Sequence, residues 1–136
     1  MIATRDLQLA TGLLVSPRRA FDVWLDPIRM AQVTGAPARI DPRVGGRYEI
    51  WGGSVFGEYV FLDRPRRVAQ TWRTEDFSPA MDDSRVELSF EAEGGGTRLT
   101  VVHTRVPAHL AEQFVTGWRD HLFRGLQAWV LPEGRA

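Results

Sequence analysis

The C-terminal part of the sequence carries the longest uninterrupted amphipathic pattern in the chain, and this pattern limits the folds available. No proline occurs from Ala108 to Leu131, and apolar residues recur every four positions at Leu110, Phe114, Trp118, Leu122, Leu126 and Val130. This spacing predicts one helix of roughly 24 residues, about 36 Å long, which Pro132-Glu133-Gly134 ends. A helix with so long an apolar stripe needs an equally long apolar surface to cover it.

Two glycines lie inside this predicted helix, at Gly117 and Gly125. Each costs about 1 kcal/mol relative to alanine in a helix interior. Close packing against a sheet, or room for a ligand, would account for this cost. Packing is the more frequent reason.

The region before the helix predicts consecutive antiparallel strands. Gly45–Trp72 contains three runs rich in β-branched and aromatic residues, divided by the turn signals Gly52-Gly53-Ser54 and Asp63-Arg64-Pro65. Residues 84–93 and 97–105 alternate between polar and apolar on either side of Gly94-Gly95-Gly96, which predicts a hairpin. Its second strand places Leu99, Val101 and His103 on one face.

The N-terminal third predicts a strand followed by two short helices. Residues 7–15 alternate as a first strand, Ser16-Pro17 is a helix start, and Asp26-Pro27 ends that helix and caps the next. Residues 38–41 read as a short edge strand that Pro42 ends. The order of elements predicts an α+β domain over residues 1–136, with a curved antiparallel sheet of about six to seven strands wrapped around the C-terminal helix.

Composition excludes several classes of function. Net charge is zero and all 17 basic residues are arginine, so we expect no nucleic-acid partner, no Schiff-base lysine and no Walker-type phosphate loop. Cysteine is absent, which excludes disulfides and thiolate chemistry. We find neither an apolar run long enough to span a bilayer nor a signal peptide, and a cytoplasmic location follows as the default. The arginine bias also suggests a GC-rich bacterial genome.

The three histidines, His103, His109 and His121, do not have a metal-ligand spacing, so we predict no metal and no other cofactor. If His103 and His121 both face a cavity, they could orient a polar ligand or act as acid and base. A buried histidine with satisfied hydrogen bonds is the more common role, and we favour it. No serine lies in a Gly-x-Ser-x-Gly elbow, and we predict no catalytic residue.

The strand containing Glu58 and Tyr59 leaves one question open. Only one of the two can face the helix, and a shift of one residue in register would exchange them.

Two apolar residues, Phe77 and Met81, lie in the polar loop after Trp72. They either fold over a cavity mouth or are incidental apolar residues on a mobile segment, and we favour the second interpretation. The tryptophans either fill the core or line a ligand cavity.

Taken together, the motifs resemble a known family. They are similar to bacterial single-domain relatives of the C-terminal domain of the activator of Hsp90 ATPase, in the START-like, Bet v 1-like (SRPBCC) superfamily of helix-grip folds. The resemblance covers nearly the whole chain, and the residues that carry it are Ser16-Pro17, Phe21, Asp26-Pro27, Arg43-Val44-Gly45-Gly46-Arg47-Tyr48, Gly57-Glu58-Tyr59, Pro65-Arg66-Arg67, Thr71-Trp72, Gly95-Gly96-Thr97-Arg98-Leu99-Thr100-Val101, Gly117-Trp118, Leu122 and Leu126.

The resemblance implies a cavity between the long helix and the sheet, a place where the superfamily binds apolar molecules. We therefore predict binding of a small hydrophobic or amphipathic ligand. The candidate lining residues are Trp51, Glu58, Tyr59, Trp72, Val101, His103, Trp118 and His121. One alternative is an enzyme, a cyclase or hydrolase acting on an apolar substrate in the same cavity.

A second alternative is a protein-interaction module of the co-chaperone kind, which the family name suggests. Stimulation of Hsp90 itself is not expected, because the additional N-terminal domain of the eukaryotic activator is missing from the sequence. Homodimerisation through an exposed sheet edge is compatible with the strand pattern.

Overall fold

A computed structural model describes residues 2–130 of the chain. It contains seven strands, two short helices and a C-terminal helix. In chain order the elements are β1 (Thr4–Leu13), α1 (Pro17–Trp24), α2 (Pro27–Thr34), β2 (Arg39–Ile40), β3 (Arg47–Ile50), a 3₁₀ turn (Trp51–Gly53), β4 (Val55–Asp63), β5 (Arg67–Thr74), β6 (Ser84–Glu93), β7 (Gly96–Pro107) and the C-terminal helix over residues 108–129.

All seven strands form one antiparallel sheet in the order β1-β7-β6-β5-β4-β3-β2. Strands β2 to β7 follow one another as a meander. The last strand, β7, then pairs with the first, β1, so that Leu7 lies opposite His103. The sheet packs its inner face against the C-terminal helix. The predicted α+β class with a helix-grip arrangement is confirmed, and β2 is the short edge strand expected from residues 38–41.

The two short helices begin where the sequence predicts. The Ser16 side chain accepts a hydrogen bond from the Arg19 amide at 3.2 Å, and Pro17 opens α1. Asp26 caps α2 in the same way, by accepting from the Ile28 amide at 2.9 Å. These caps satisfy amides that have no partner within the helix. The helix pair then covers the sheet beside the C-terminal helix.

The C-terminal helix is continuous but not regular. It starts with a 3₁₀ turn (Ala108–Leu110), continues as α-helix (Ala111–Thr116), widens into a π-helical segment (Gly117–Phe123) and returns to α-helix (Arg124–Trp129). Val130 has extended backbone angles. The predicted end at Leu131 and the stop at Pro132-Glu133-Gly134 lie outside the described residues.

The π-helical segment explains how the four-residue repeat stays buried. At 3.6 residues per turn, each four-residue step overshoots a full turn by about 40°, so five steps would carry a regular stripe about 200° around the helix. A π-helix bonds residue i to i+5 and turns less per residue, which reduces this drift. All six repeat positions, from Leu110 to Val130, are at most 7% exposed. A strict period of four is thus the sequence signal for this segment.

Gly125 allows a close contact between the C-terminal helix and α2. A Cβ at this position would overlap the Val33 carbonyl oxygen and lie 2.9 Å from Val33 Cγ1. Packing is therefore the reason for this glycine, although its partner is a helix rather than the sheet. No helix within residues 2–130 is long and apolar enough to cross a membrane.

Candidate functional site

A cavity of about 520 Å³ opens between the first half of the C-terminal helix and one end of the sheet. The 3₁₀ turn between β3 and β4, the end of β5 and the loop that follows it form the other walls. The lining residues are Trp51, Ser54, Val55, Trp72, Thr74, Glu75, Asp76, Glu112, Gln113, Phe114, Thr116, Gly117, Trp118, His121 and Leu122.

Four of the eight predicted lining residues lie in this wall: Trp51, Trp72, Trp118 and His121. Three others, Tyr59, Val101 and His103, face the inside of the sheet but are at most 2% exposed and pack within the core. The remaining one, Glu58, lies on the outer face. The open space is therefore confined to one end of the groove between helix and sheet.

The register of β4 settles the choice between Glu58 and Tyr59. The side chains of Val55 and Tyr59 point inward and that of Glu58 points to solvent, because successive side chains of a strand alternate between its faces. Tyr59 packs against Tyr48, with ring centroids 5.3 Å apart. The placement of Glu58 in a cavity wall is thus wrong, and the inner surface here is aromatic.

Aromatic packing fills the rest of the groove. The Trp118 ring lies between those of Trp72 and Trp24, at centroid distances of 5.0 and 6.0 Å. His103 stacks on Phe114 at 5.3 Å. These contacts fill the part of the groove that a larger cavity would occupy. Trp72 and Trp118 therefore form the inner wall of the cavity that remains.

His103 is the centre of a buried hydrogen-bond chain. The Trp118 indole N–H donates to His103 Nδ1 at 3.0 Å, and His103 Nε2 lies 2.8 Å from Ser84 Oγ. Because an indole can only donate, Nδ1 must accept, and the neutral ring carries its proton on Nε2. Ser84 in turn donates to the Trp72 carbonyl oxygen at 2.6 Å. The side-chain polar atoms of Trp118, His103 and Ser84 therefore all have partners.

This geometry gives His103 a structural role. Burial lowers its pKa to about 3, because the charged ring would lose its hydration. Its hydrogen-bond partners are an indole and a hydroxyl, and within residues 2–130 no histidine nitrogen lies within 4.0 Å of a carboxylate oxygen. The described residues thus give no support to acid–base chemistry by this ring. His121 is exposed at the rim.

The depressed pKa of His103 predicts a loss of stability in acid. Between pH 6.5 and about 3 the unfolded chain binds a proton here that the folded chain excludes. The stabilisation is complete above pH 6.5 and is lost as pH falls through this window, by an amount on the order of 5 kcal/mol. Urea unfolding at a series of pH values measures this slope.

The control is the variant His103→Gln. Its glutamine cannot titrate, and its carboxylates are those of the wild type, so the two proteins differ only in the contribution of His103 to the acid dependence. We expect the wild-type free energy of unfolding to fall more steeply with acid than that of the variant. Equal slopes for the two proteins would mean that His103 is not held neutral by burial.

The loop after β5 is anchored at the edge of the cavity. Phe77 is 7% exposed and stacks on Phe114, with ring centroids 6.1 Å apart. The Arg73 guanidinium donates to the carbonyls of Met81 and Ser78 at 2.8 and 2.9 Å. The interpretation of Phe77 as an incidental apolar residue is therefore wrong, because it belongs to the core next to the cavity.

Trp51 enters the cavity wall from an unusual backbone conformation. Its φ is +52°, in the left-handed region that bulky side chains rarely adopt, and Gly52 and Gly53 follow at +66° and +99°. Such strain is concentrated at ligand-contacting positions in known proteins. Here it directs a half-buried indole toward the cavity.

Sequence reasoning missed the polar rim, and at Gly117 it favoured packing over room for a ligand. Glu75, Asp76 and Glu112 lie at the mouth, and neither a loop sequence nor the outer side of a helix indicates such a convergence. At Gly117 an added Cβ would meet no atom within 4 Å apart from its chain neighbours and the backbone of its own helix. A glycine on the apolar side of the predicted helix was the available signal for open space.

Within residues 2–130 no group of three acidic or histidine side chains could hold a metal ion.

Comparisons with known proteins agree with this architecture. The family model described as activator of Hsp90 ATPase homolog 1-like protein matches residues 14–130. A curated Dictyostelium discoideum relative, an activator of 90 kDa heat shock protein ATPase homolog, is 27% identical over 88% of this chain and 31% of its own length. The chain thus spans about a third of that relative.

Solved structures show the same fold. An HSP90 activator from Plasmodium falciparum superimposes with a TM-score of 0.84 at 22% identity, covering 90% of this chain and 94% of that one. CalU16 from Micromonospora echinospora has a TM-score of 0.77 at 25% identity, covering 96% and 78%. Since the family model spans most of the sequence, the chain belongs to the activator of Hsp90 ATPase homolog 1-like family.

Proposed function

We propose that this protein binds a small hydrophobic or amphipathic molecule in the cavity beside Trp72 and Trp118. The observation that carries the proposal is a space of about 520 Å³ with a floor of buried apolar side chains. Small-molecule sites in proteins have volumes of roughly 300–1,000 Å³ and are lined mainly by apolar and aromatic groups. A core whose only task was stability would be packed to fill this space.

Gly117 supports the same conclusion. It lies in the cavity wall with helical angles (φ −60°, ψ −44°), which any residue can adopt, and with no atom within 4 Å of a Cβ. Alanine or leucine would favour the helix by about 1 kcal/mol. The glycine therefore forgoes stability where a side chain would enter the cavity.

We expect Gly117→Leu to block binding without harming the fold. In a titration with the neutral dye N-phenylnaphthylamine, wild-type protein should bind saturably and melt at a higher temperature, since a ligand that binds only the folded state stabilises it. Leucine at position 117 should weaken dye affinity by about tenfold or more, because its side chain occupies the site. Its own melting temperature should equal or exceed that of the wild type.

The control is Gly117→Ala, which adds one methyl group and should keep most of the affinity. The proposal fails if the wild-type protein does not bind the dye, or if the leucine variant binds it as tightly as the wild type does.

Protein interaction of the co-chaperone kind is a second candidate, favoured by the names of the relatives. Those names describe proteins about three times as long as this chain. The interaction hypothesis does not account for an apolar cavity at the end of the groove. For that reason we rank ligand binding first.

A further inference from the structure

The cavity has two chemically different zones. Its floor consists of side chains at most 6% exposed, among them Val55, Trp72, Phe114 and Trp118. Its rim consists of exposed polar residues, including Glu75, Asp76 and Glu112. A molecule bound here would place its apolar body on the floor and its polar end among three carboxylates.

Arginine does not compensate for these carboxylates. In the part of the chain that the structure describes, no arginine lines the cavity. Two arginines adjacent to lining residues in the sequence, Arg73 and Arg119, are engaged elsewhere. Arg73 pairs with Asp83 at 3.0 Å, and Arg119 pairs with Asp120 at 3.2 Å. The three carboxylates of the lining are therefore not balanced by a lining arginine, although the whole chain has zero net charge.

We infer that the cavity selects ligands with an apolar body and a cationic end, such as an amine or a quaternary ammonium group. This inference rests on the proposed function. A cation at the rim gains attraction from Glu75, Asp76 and Glu112. It can also lie against an indole, and Trp51 is the half-buried one at the mouth. An anionic group in the same place would be repelled by the same carboxylates.

Three amphiphiles that share one alkyl chain test this inference: dodecyltrimethylammonium, dodecyl maltoside and dodecyl sulfate. Each is used below its micelle concentration to displace N-phenylnaphthylamine from the wild-type protein. We expect the cation to displace the dye at roughly tenfold lower concentration than the anion, with the maltoside between them. High salt should narrow this difference, because exposed charges are screened.

The double variant Glu75→Gln/Glu112→Gln removes two rim charges without changing side-chain size, and it should lower the cation preference about threefold or more. The matched control is Glu58→Gln/Glu91→Gln, which changes net charge equally at exposed positions outside the cavity. This control should keep the wild-type preference.

The outcomes separate the two proposals. Dye binding with equal displacement by all three amphiphiles, or with tightest binding of the anion, would overturn the charge selection and leave ligand binding intact. Equal losses in both double variants would also overturn it, because the effect would then reflect overall charge. No dye binding to the wild type would overturn both proposals.

Discussion

Replacing Trp118 with alanine is expected to cost about 3–5 kcal/mol of unfolding free energy. The side chain is 2% exposed and contacts the rings of Trp72, Trp24 and Phe123. Its loss would leave a hole in the centre of the core and an unpaired Nδ1 on His103. Small domains are stable by only about 5–15 kcal/mol, so this cost is a large share of the total. Urea unfolding at neutral pH measures the difference.

The same helix supplies a control in Trp129, which is 48% exposed. Trp129→Ala should change the free energy of unfolding by no more than about 0.5 kcal/mol. A milder variant, Trp118→Phe, keeps an aromatic ring but removes the N–H that bonds to His103, and should cost about 1–3 kcal/mol. Similar costs for the two alanine variants would contradict the central position of Trp118.

Gly125→Ala is expected to destabilise the protein by about 1–3 kcal/mol, even though alanine favours helices. The new Cβ would overlap the Val33 carbonyl oxygen, which belongs to the backbone of α2 and cannot rotate away. The C-terminal helix and α2 would have to separate. Thermal or urea unfolding of the purified variant measures the loss.

Gly117→Ala makes the identical change eight residues earlier in the same helix, where a Cβ meets no atom within 4 Å. It should raise the free energy of unfolding by up to about 1 kcal/mol. The two alanine substitutions are thus predicted to have opposite signs. Stabilisation at both positions would show that helix propensity controls them, and destabilisation at both would show that position 117 has no room for a methyl group.

Local chemistry made much of the fold predictable from sequence. Ser16-Pro17 and Asp26-Pro27 mark helix starts by the hydrogen bonds that their side chains can form. The Gly94-Gly95-Gly96 turn fixes the hairpin of β6 and β7 because glycine adopts positive φ at low cost. These signals act over a few residues, so they survive without knowledge of distant contacts.

The candidate site depended on contacts between distant residues. Whether Glu58 or Tyr59 faces inward is set by the register of three strands, which one strand sequence does not contain. Whether the groove is full depends on how Trp72, Trp118 and Trp24 share its volume. Gln70, 1% exposed, is buried because it accepts a hydrogen bond from the Trp24 indole at 2.8 Å. Such pairings become visible only when the elements are assembled.

The chain of hydrogen bonds from Trp118 through His103 and Ser84 has a consequence for how this sequence can diverge. The indole N–H donates to the imidazole, the imidazole N–H donates to the hydroxyl, and the hydroxyl donates to a carbonyl oxygen. Replacing one of the three side chains alone therefore leaves a buried polar atom without a partner. Replacing all three with apolar residues of similar volume removes the unmet side-chain groups together, and only the Trp72 carbonyl oxygen then loses the donor that Ser84 supplied. In a randomised library these three positions should therefore be recovered in matched combinations, with single exchanges depleted, even though they lie 19 and 15 residues apart in the chain.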